Sequence, residues 1–119
     1  MGKKILLIED DNFMREMIAL VLEAESYKVT GVENGGDALG LLRECREYEY
    51  DAVISDMYLP DTDGLKLFEQ VSANYPGLQF LILTSETDEA IVQQATSLGI
   101  TYILKDENFA EAILATLQK

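Results

Sequence analysis

A chain of 119 residues with 48% apolar content is large enough for one packed core, and its short apolar runs, each broken by charge, exclude a membrane span of roughly 20 residues. Twenty-two acidic against nine basic residues give a net charge of −13, a surface that repels a phosphate backbone and argues against nucleic-acid binding. The absence of histidine removes the usual general base and the commonest metal ligand, and a lone cysteine, Cys45, excludes an intrachain disulfide or a cysteine zinc site.

Ile5, Leu6, Leu7 and Ile8 form the first apolar run, after which Met14, Met17, Ile18, Val21 and Leu22 recur on one helical face. This reads as a strand and an amphipathic helix that buries five large side chains. A short strand over residues 28–32 follows, and beyond the Asn34-Gly35-Gly36 turn a second helix places Ala38, Leu41, Leu42 and Cys45 on one face, making Cys45 a packing residue. The third pair is a strand over 52–55 and a helix over 65–74, closed by Tyr75-Pro76-Gly77. The fourth is a strand over 79–84 and a helix from Asp88 to Leu98, just before Gly99. A last strand over 102–104 precedes a helix with the stripe Phe109, Ile113 and Leu117.

Five strands alternating with five helices predict an α/β fold, a doubly wound five-stranded parallel sheet with helices on both faces. Strands that read as nearly continuous apolar runs agree, because a parallel sheet is covered on both sides. No linker or repeat divides the chain, so residues 1–119 are expected to form one domain, and the N-terminus lacks a signal-peptide pattern, so a cytoplasmic protein is expected.

In such a sheet, function gathers beyond the carboxyl ends of the strands. There the sequence places Glu9-Asp10-Asp11 after the first strand, Asp56 after the third, Thr84-Ser85 at the fourth and Lys105 after the fifth. Taken singly, Glu9-Asp10-Asp11-Asn12 also reads as a helix N-cap, Thr84 as an ordinary strand residue and Lys105 as a solvated charge. Their coincidence at one edge is harder to explain by caps. Two like unit charges about 4 Å apart repel by about 4 kcal/mol at an effective dielectric of about 20, so the gathered Glu9, Asp10 and Asp56 call for a positive charge between them. Carboxylate oxygens without thiolate or imidazole suit a hard cation, Mg²⁺ better than a caged Ca²⁺, with Mn²⁺ as the alternative.

Asp61-Thr62-Asp63-Gly64 echoes the core of a calcium-binding EF-hand loop, but that alignment places Leu59 at the first ligand position and Gln70 at the bidentate glutamate position. A D-x-D-G phosphatase motif would need its first aspartate directly after a strand, whereas Asp61 follows Pro60. Asp61 and Asp63 therefore read as turn residues, with Asp63-Gly64 introducing the third helix.

Glu9-Asp10, Asp56, Pro60 with Gly64, Thr84 and Lys105, each at its strand end or in the loop beyond, make the whole chain resemble a receiver domain of the two-component response-regulator family. The resemblance implies the strand order 2-1-3-4-5. It implies that Asp56 accepts a phosphoryl group from a histidine kinase or histidine phosphotransfer protein. Asp10, Asp56 and the Tyr58 carbonyl would bind Mg²⁺, with Glu9 assisting through water. Lys105 and Thr84 would contact the phosphoryl group, and Thr84 with Tyr102 would switch the surface of the fourth helix, fifth strand and fifth helix toward a downstream effector. Such a protein is not an enzyme beyond assisting its own phosphorylation and dephosphorylation, and it engages neither nucleic acid nor membrane through this domain.

The family's usual lysine-proline pair is Lys105-Asp106 here. A trans link and a rearranged loop are expected, and Asp106 places a negative charge beside the ammonium that would weaken its hold on phosphate. Tyr58 and Glu86 occupy positions that tune phosphoryl lifetime in the family. The alternative reading is a pseudo-receiver that binds partners without phosphorylation. A flavin carrier would need a phosphate-cradling loop where Glu9-Asp10-Asp11 stands, and a metal-dependent hydrolase would turn over phosphate esters repeatedly.

Overall fold

The computed structural model describes residues 3–44 and 49–118. Five strands, β1 (Lys4–Ile8), β2 (Lys28–Val32), β3 (Ala52–Ser55), β4 (Gln79–Thr84) and β5 (Thr101–Leu104), form one parallel sheet in the order β2-β1-β3-β4-β5. Helices α1 (Asn12–Ala24), α2 (Gly35–Glu44), α3 (Gly64–Asn74), α4 (Glu89–Ser97) and α5 (Phe109–Leu117) follow the strands in turn. Cys45 lies outside the described residues.

The central strands are apolar along their interiors, with polar residues only at their ends, because each of their two faces has its own core. Leu6, Ile8, Val53, Phe80 and Ile82 meet Ala38 and Leu42 of α2, Leu67 and Val71 of α3 and Ala95 of α4. On the opposite face Ile5, Leu7, Ile54, Leu81, Leu83 and Ile103 meet Ile18 and Leu22 of α1 and Ile113 and Leu117 of α5. Each fully buried large aliphatic contributes roughly 1.5–3 kcal/mol, several times what a capping bond supplies, so these two layers hold the fold and leave the strand ends free to carry charge. The edge strand β2 departs from the continuous apolar pattern, with Lys28, Thr30 and Gly31 exposed.

Two helices bury less than their periodicity predicts. On α1 only Ile18 and Leu22 are fully buried, while Met17 is exposed along with Phe13 and Leu20. Of the α4 stripe Ile91, Ala95 and Leu98, only Ala95 is fully buried, and Leu98 is an exposed C-cap. Gly99, at φ +85°, ends that helix with Ile100 N–H donating to Ala95 O at 3.1 Å and Gly99 N–H to Thr96 O at 3.0 Å, a closure that needs a left-handed residue.

Gly64 is fixed by close approach. A Cβ there would lie 3.0 Å from Ile82 Cδ1 and 3.1 Å from the Asp56 carbonyl oxygen, and its N–H donates to Met57 O. Gly64→Ala is therefore expected to cost about 1–3 kcal/mol, read as a lower urea midpoint at unchanged slope. An unaltered midpoint would show that the turn has room to spare.

Candidate functional site

The sheet's register brings the site together. Ile8 lies opposite both Val32 and Ser55, and Thr84 opposite Leu104. Backbone bonds carry the pairing one residue further: Glu9 N–H donates to Val32 O at 3.0 Å, Asp56 N–H to Ile8 O at 3.0 Å and Lys105 N–H to Thr84 O at 2.9 Å. Glu9, Asp56 and Lys105 thus leave the sheet at one level.

Carboxylate oxygens of Glu9, Asp10 and Asp56 lie within 4.8 Å of one another. The Lys105 ammonium donates to Glu9 Oε1 at 2.6 Å and to Asp56 Oδ2 at 2.9 Å. The second oxygens are also engaged, Asp56 Oδ1 by Met57 N–H at 2.7 Å and Glu9 Oε2 by Asp11 N–H at 3.2 Å. Glu9 is only 2% exposed, Asp56 is half-buried and Asp10 is exposed at the rim. Burial raises the Glu9 pKa above the usual glutamate value despite the ammonium beside it. Burial would lower that of Lys105, but its hydrogen bonds to Glu9 and Asp56 outweigh this and raise it. The positive charge that the acidic cluster requires is thus supplied by the chain itself.

The capping and clustering readings of residues 9–12 both hold, for different residues. Asp11 is the N-cap of α1, accepting from Met14 N–H at 2.8 Å, while Glu9 and Asp10 join Asp56. The described residues contain no cis peptide bond, so Lys105-Asp106 is trans as expected. The Asp106 carboxylate accepts from Asn108 N–H at 2.9 Å, and Lys105 keeps both of its acidic partners.

Thr84 is buried at the end of β4, its Oγ1 accepting a long 3.3 Å bond from Glu86 N–H. Tyr102 is half-buried and donates its phenol proton to Glu86 O at 2.7 Å. Tyr58, 53% exposed, donates to the Glu86 carboxylate, a bond that raises the tyrosine pKa and lowers the glutamate's. The Tyr58 backbone sits in a bridge with Asp63 whose two bonds, Leu59 N–H to Thr62 O and Gly64 N–H to Met57 O, leave the Tyr58 carbonyl unused.

Three contacts were not foreseen. Arg15 donates to Glu9 O at 2.7 Å, its aliphatic stem lying where a Cβ on Gly31 would be. Glu86 joins Tyr58, Tyr102 and Thr84. Asp61 caps α2 instead of merely turning the chain: its oxygens accept from Gly35 N–H at 2.9 Å and Gly36 N–H at 2.8 Å, which holds its carboxyl below the usual aspartate value. The adjacent glycines at 35 and 36 were the available hint of a close approach.

The receiver domain of response regulators, as a sequence family, matches residues 5–118. The chemotaxis protein CheY of Halobacterium salinarum is 30% identical over 106 residues, 88% of this chain and 86% of that protein. The probable transcriptional regulatory protein TcrX of Mycobacterium tuberculosis is 29% identical over 92% of this chain, which spans only 46% of TcrX. Among solved structures, the chemotaxis response regulator CheY4 of Vibrio cholerae superposes with a TM-score of 0.84 at 28% identity, covering 99% of this chain and 98% of that one. The response regulator TrrA of Thermotoga maritima, in complex with Mg²⁺ and a beryllium fluoride, gives 0.83 at 25% identity, covering 98% and 97%. Fold and acidic edge define a flavodoxin-like signalling module. The chain belongs to the response-regulator receiver family of two-component systems.

Burial raises the Tyr102 phenol to about 12, with the Glu86 carboxylate adding to the effect. Between pH about 10 and about 12 the unfolded chain releases this proton while the folded chain keeps it. Its contribution to stability is therefore complete below pH about 10 and declines as the pH rises through that interval. Absorbance titration should show Tyr102 among the late-titrating phenols, with one fewer of them in Tyr102→Phe, and an unchanged number in that variant would place Tyr102 in solvent.

Proposed function

We propose that the chain is a phosphoacceptor domain in which Asp56 takes a phosphoryl group from a phosphohistidine on a partner kinase or phosphotransfer protein. The observation that carries this is the Lys105 ammonium bonded to both Glu9 and Asp56, beside a third carboxylate, at the sheet edge. An Asp56 oxygen forms the new O–P bond as the donor's N–P bond breaks and its imidazole leaves. A carboxylate is already ionised at neutral pH and needs no base, so catalysis rests on positioning and charge neutralisation. Lys105 would follow the transferring oxygens, and Thr84 would hydrogen-bond the phosphoryl group once formed.

The donors at the site are all hard oxygens, the chemistry a magnesium ion prefers, with Mn²⁺ as a substitute. Asp10, Asp56 and the Tyr58 carbonyl would hold the ion, with Glu9 acting through water, and its charge would be shared with the transferring phosphoryl oxygens. Thr84 and Tyr102 border α4 and β5, so the α4, β5 and α5 surface is the one that phosphorylation would present to an effector domain or protein. Such a domain works as a single unit over residues 1–119, inside the cytoplasm, and catalyses nothing beyond its own modification. Among the described residues no helix is long and apolar enough to cross a membrane.

Incubation with Mg²⁺ and a small acyl phosphate should add the mass of one phosphoryl group, and Asp56→Asn should add none. Absence of the adduct from the wild-type protein would favour the pseudo-receiver, a module that binds partners unphosphorylated. Mg²⁺ at about 100 times its Kd should raise the melting temperature by about 10 °C, since mass action then adds about 2.7 kcal/mol. An unchanged melting curve would count against the metal site.

A protein donor is supported by an apolar stripe of Phe13, Met17 and Leu20, which are 70%, 37% and 68% exposed on one face of α1, beginning two residues after Asp11. The double variant Phe13→Ala/Leu20→Ala should accept phosphate from the acyl phosphate at the wild-type rate. It should lose roughly tenfold or more in transfer from a kinase, the loss expected when anchors each worth more than about 1 kcal/mol are truncated. Equal losses with both donors would exclude α1 as the donor's contact.

A further inference from the structure

The loop between β3 and α3 must present the Tyr58 carbonyl to the site, yet it crosses the surface beyond the sheet. Its own turn fixes only part of it. Leu59 N–H points into the turn, onto Thr62 O at 3.0 Å, and because the planar trans peptide sets C=O opposite N–H, the Tyr58 carbonyl points out of it. The orientation of that carbonyl therefore depends on where Thr62 O is held.

Thr62 and its neighbour Asp61 are held by α2. A helix start leaves the N–H groups of its first three residues without helical partners; Ala38 N–H makes the first helical bond, to Asn34 O at 3.3 Å, and of those three Asp37 N–H donates to Asn34 Oδ1 at 2.7 Å. The other two, on Gly35 and Gly36, go to the two oxygens of Asp61, 26 and 25 residues further along. Gly36 is exposed, so water could satisfy its N–H without any such clasp. The contact is tight, since a Cβ on Gly35 would lie 2.6 Å from Thr62 Cγ2.

We propose that Asp61 is a positioning residue for the metal site, pinning the β3–α3 loop to the start of α2 so that Thr62 O, Leu59 N–H and the Tyr58 carbonyl stay in fixed sequence. This inference rests on the metal-dependent reading above. Asp61 touches neither metal nor phosphoryl group and acts through the loop alone. By linkage, metal held at Tyr58 in turn protects the Gly35 and Gly36 amides.

Calorimetric titration with Mg²⁺ alone, well below the melting temperature, tests this. Asp61→Ala should weaken Mg²⁺ binding roughly tenfold, the low end of the loss seen when a ligand's supporting contact is removed. Asp61→Asn, which keeps one acceptor oxygen, should recover part of it. Hydrogen exchange should speed up at Leu59 as well as at Gly35 and Gly36. Wild-type Mg²⁺ affinity in Asp61→Ala, with only the melting temperature lowered, would reduce Asp61 to a helix cap and overturn the proposal. Should Asp61→Ala fold poorly, Gly35→Ala provides the second route: its methyl should displace Thr62 and weaken Mg²⁺ binding, and Gly35→Ala/Thr62→Ser should restore it. Unchanged binding in Gly35→Ala, or no recovery in the double variant, would also overturn the proposal. A wild-type protein that binds no Mg²⁺ would sink the metal site itself, a failure distinct from that of the clasp.

Discussion

A buried glutamate beside an aspartate at the end of a sheet is tolerable only with a positive charge in reach, and the rest of the site is arranged around that need. Lys105 meets it with bonds to both acids. Bringing three charges together out of water carries a desolvation cost that their attraction must offset; burial raises the Glu9 pKa, while the bonds to Glu9 and Asp56 raise that of Lys105. A site in that condition is receptive to further positive charge. A cation arriving at Asp10 and Asp56 would relieve the same imbalance from the solvent side, where Asp10 is exposed.

This arrangement requires that Glu9, Asp56 and Lys105, on three strands far apart in sequence, leave the sheet at one level. Parallel register does this without any contribution from the loops, and the apolar layers that fix the register lie entirely below the charges. The division of labour is energetic: the layers supply many buried aliphatic side chains, so the polar edge need contribute nothing to folding. Substitutions in the layers and at the edge should therefore act on separate properties, stability for the first and ligand affinity for the second.

What the sequence reveals follows the range of the interactions involved. Strand positions and the convergence of Glu9, Asp10, Asp56 and Lys105 are written in local apolar runs and their endings, and the structure brings these four residues together. Helix α1 was read as burying five side chains because helical periodicity marks an apolar face without saying what covers it, and Met17 belongs to a stripe that continues into exposed Phe13 and Leu20. Asp61 looked like a turn residue because its partners, Gly35 and Gly36, lie a whole βα unit earlier in the chain, and no local pattern joins them. The Asp106 carboxylate beside Lys105 accepts from the Asn108 N–H at the entrance of α5.

Glu86 shows how a change at the sheet edge would travel. Its N–H reaches Thr84 Oγ1, its carbonyl accepts from Tyr102, and its carboxylate accepts from Tyr58 and, at 3.0 Å, from the N–H of Asp88, the α4 N-cap. Four elements of the surface around the site thus meet at one residue. The bond to Thr84 is the longest of those given a distance here, so it is the first to yield if that hydroxyl turns toward a phosphoryl oxygen. Beyond Glu86 lies α4, with Ala95 its one fully buried residue. A helix so lightly anchored would offer less resistance to a shift at its N-terminus than α1, which buries Ile18 and Leu22 against the opposite face. The direction in which this fold yields is set by where its core is thinnest.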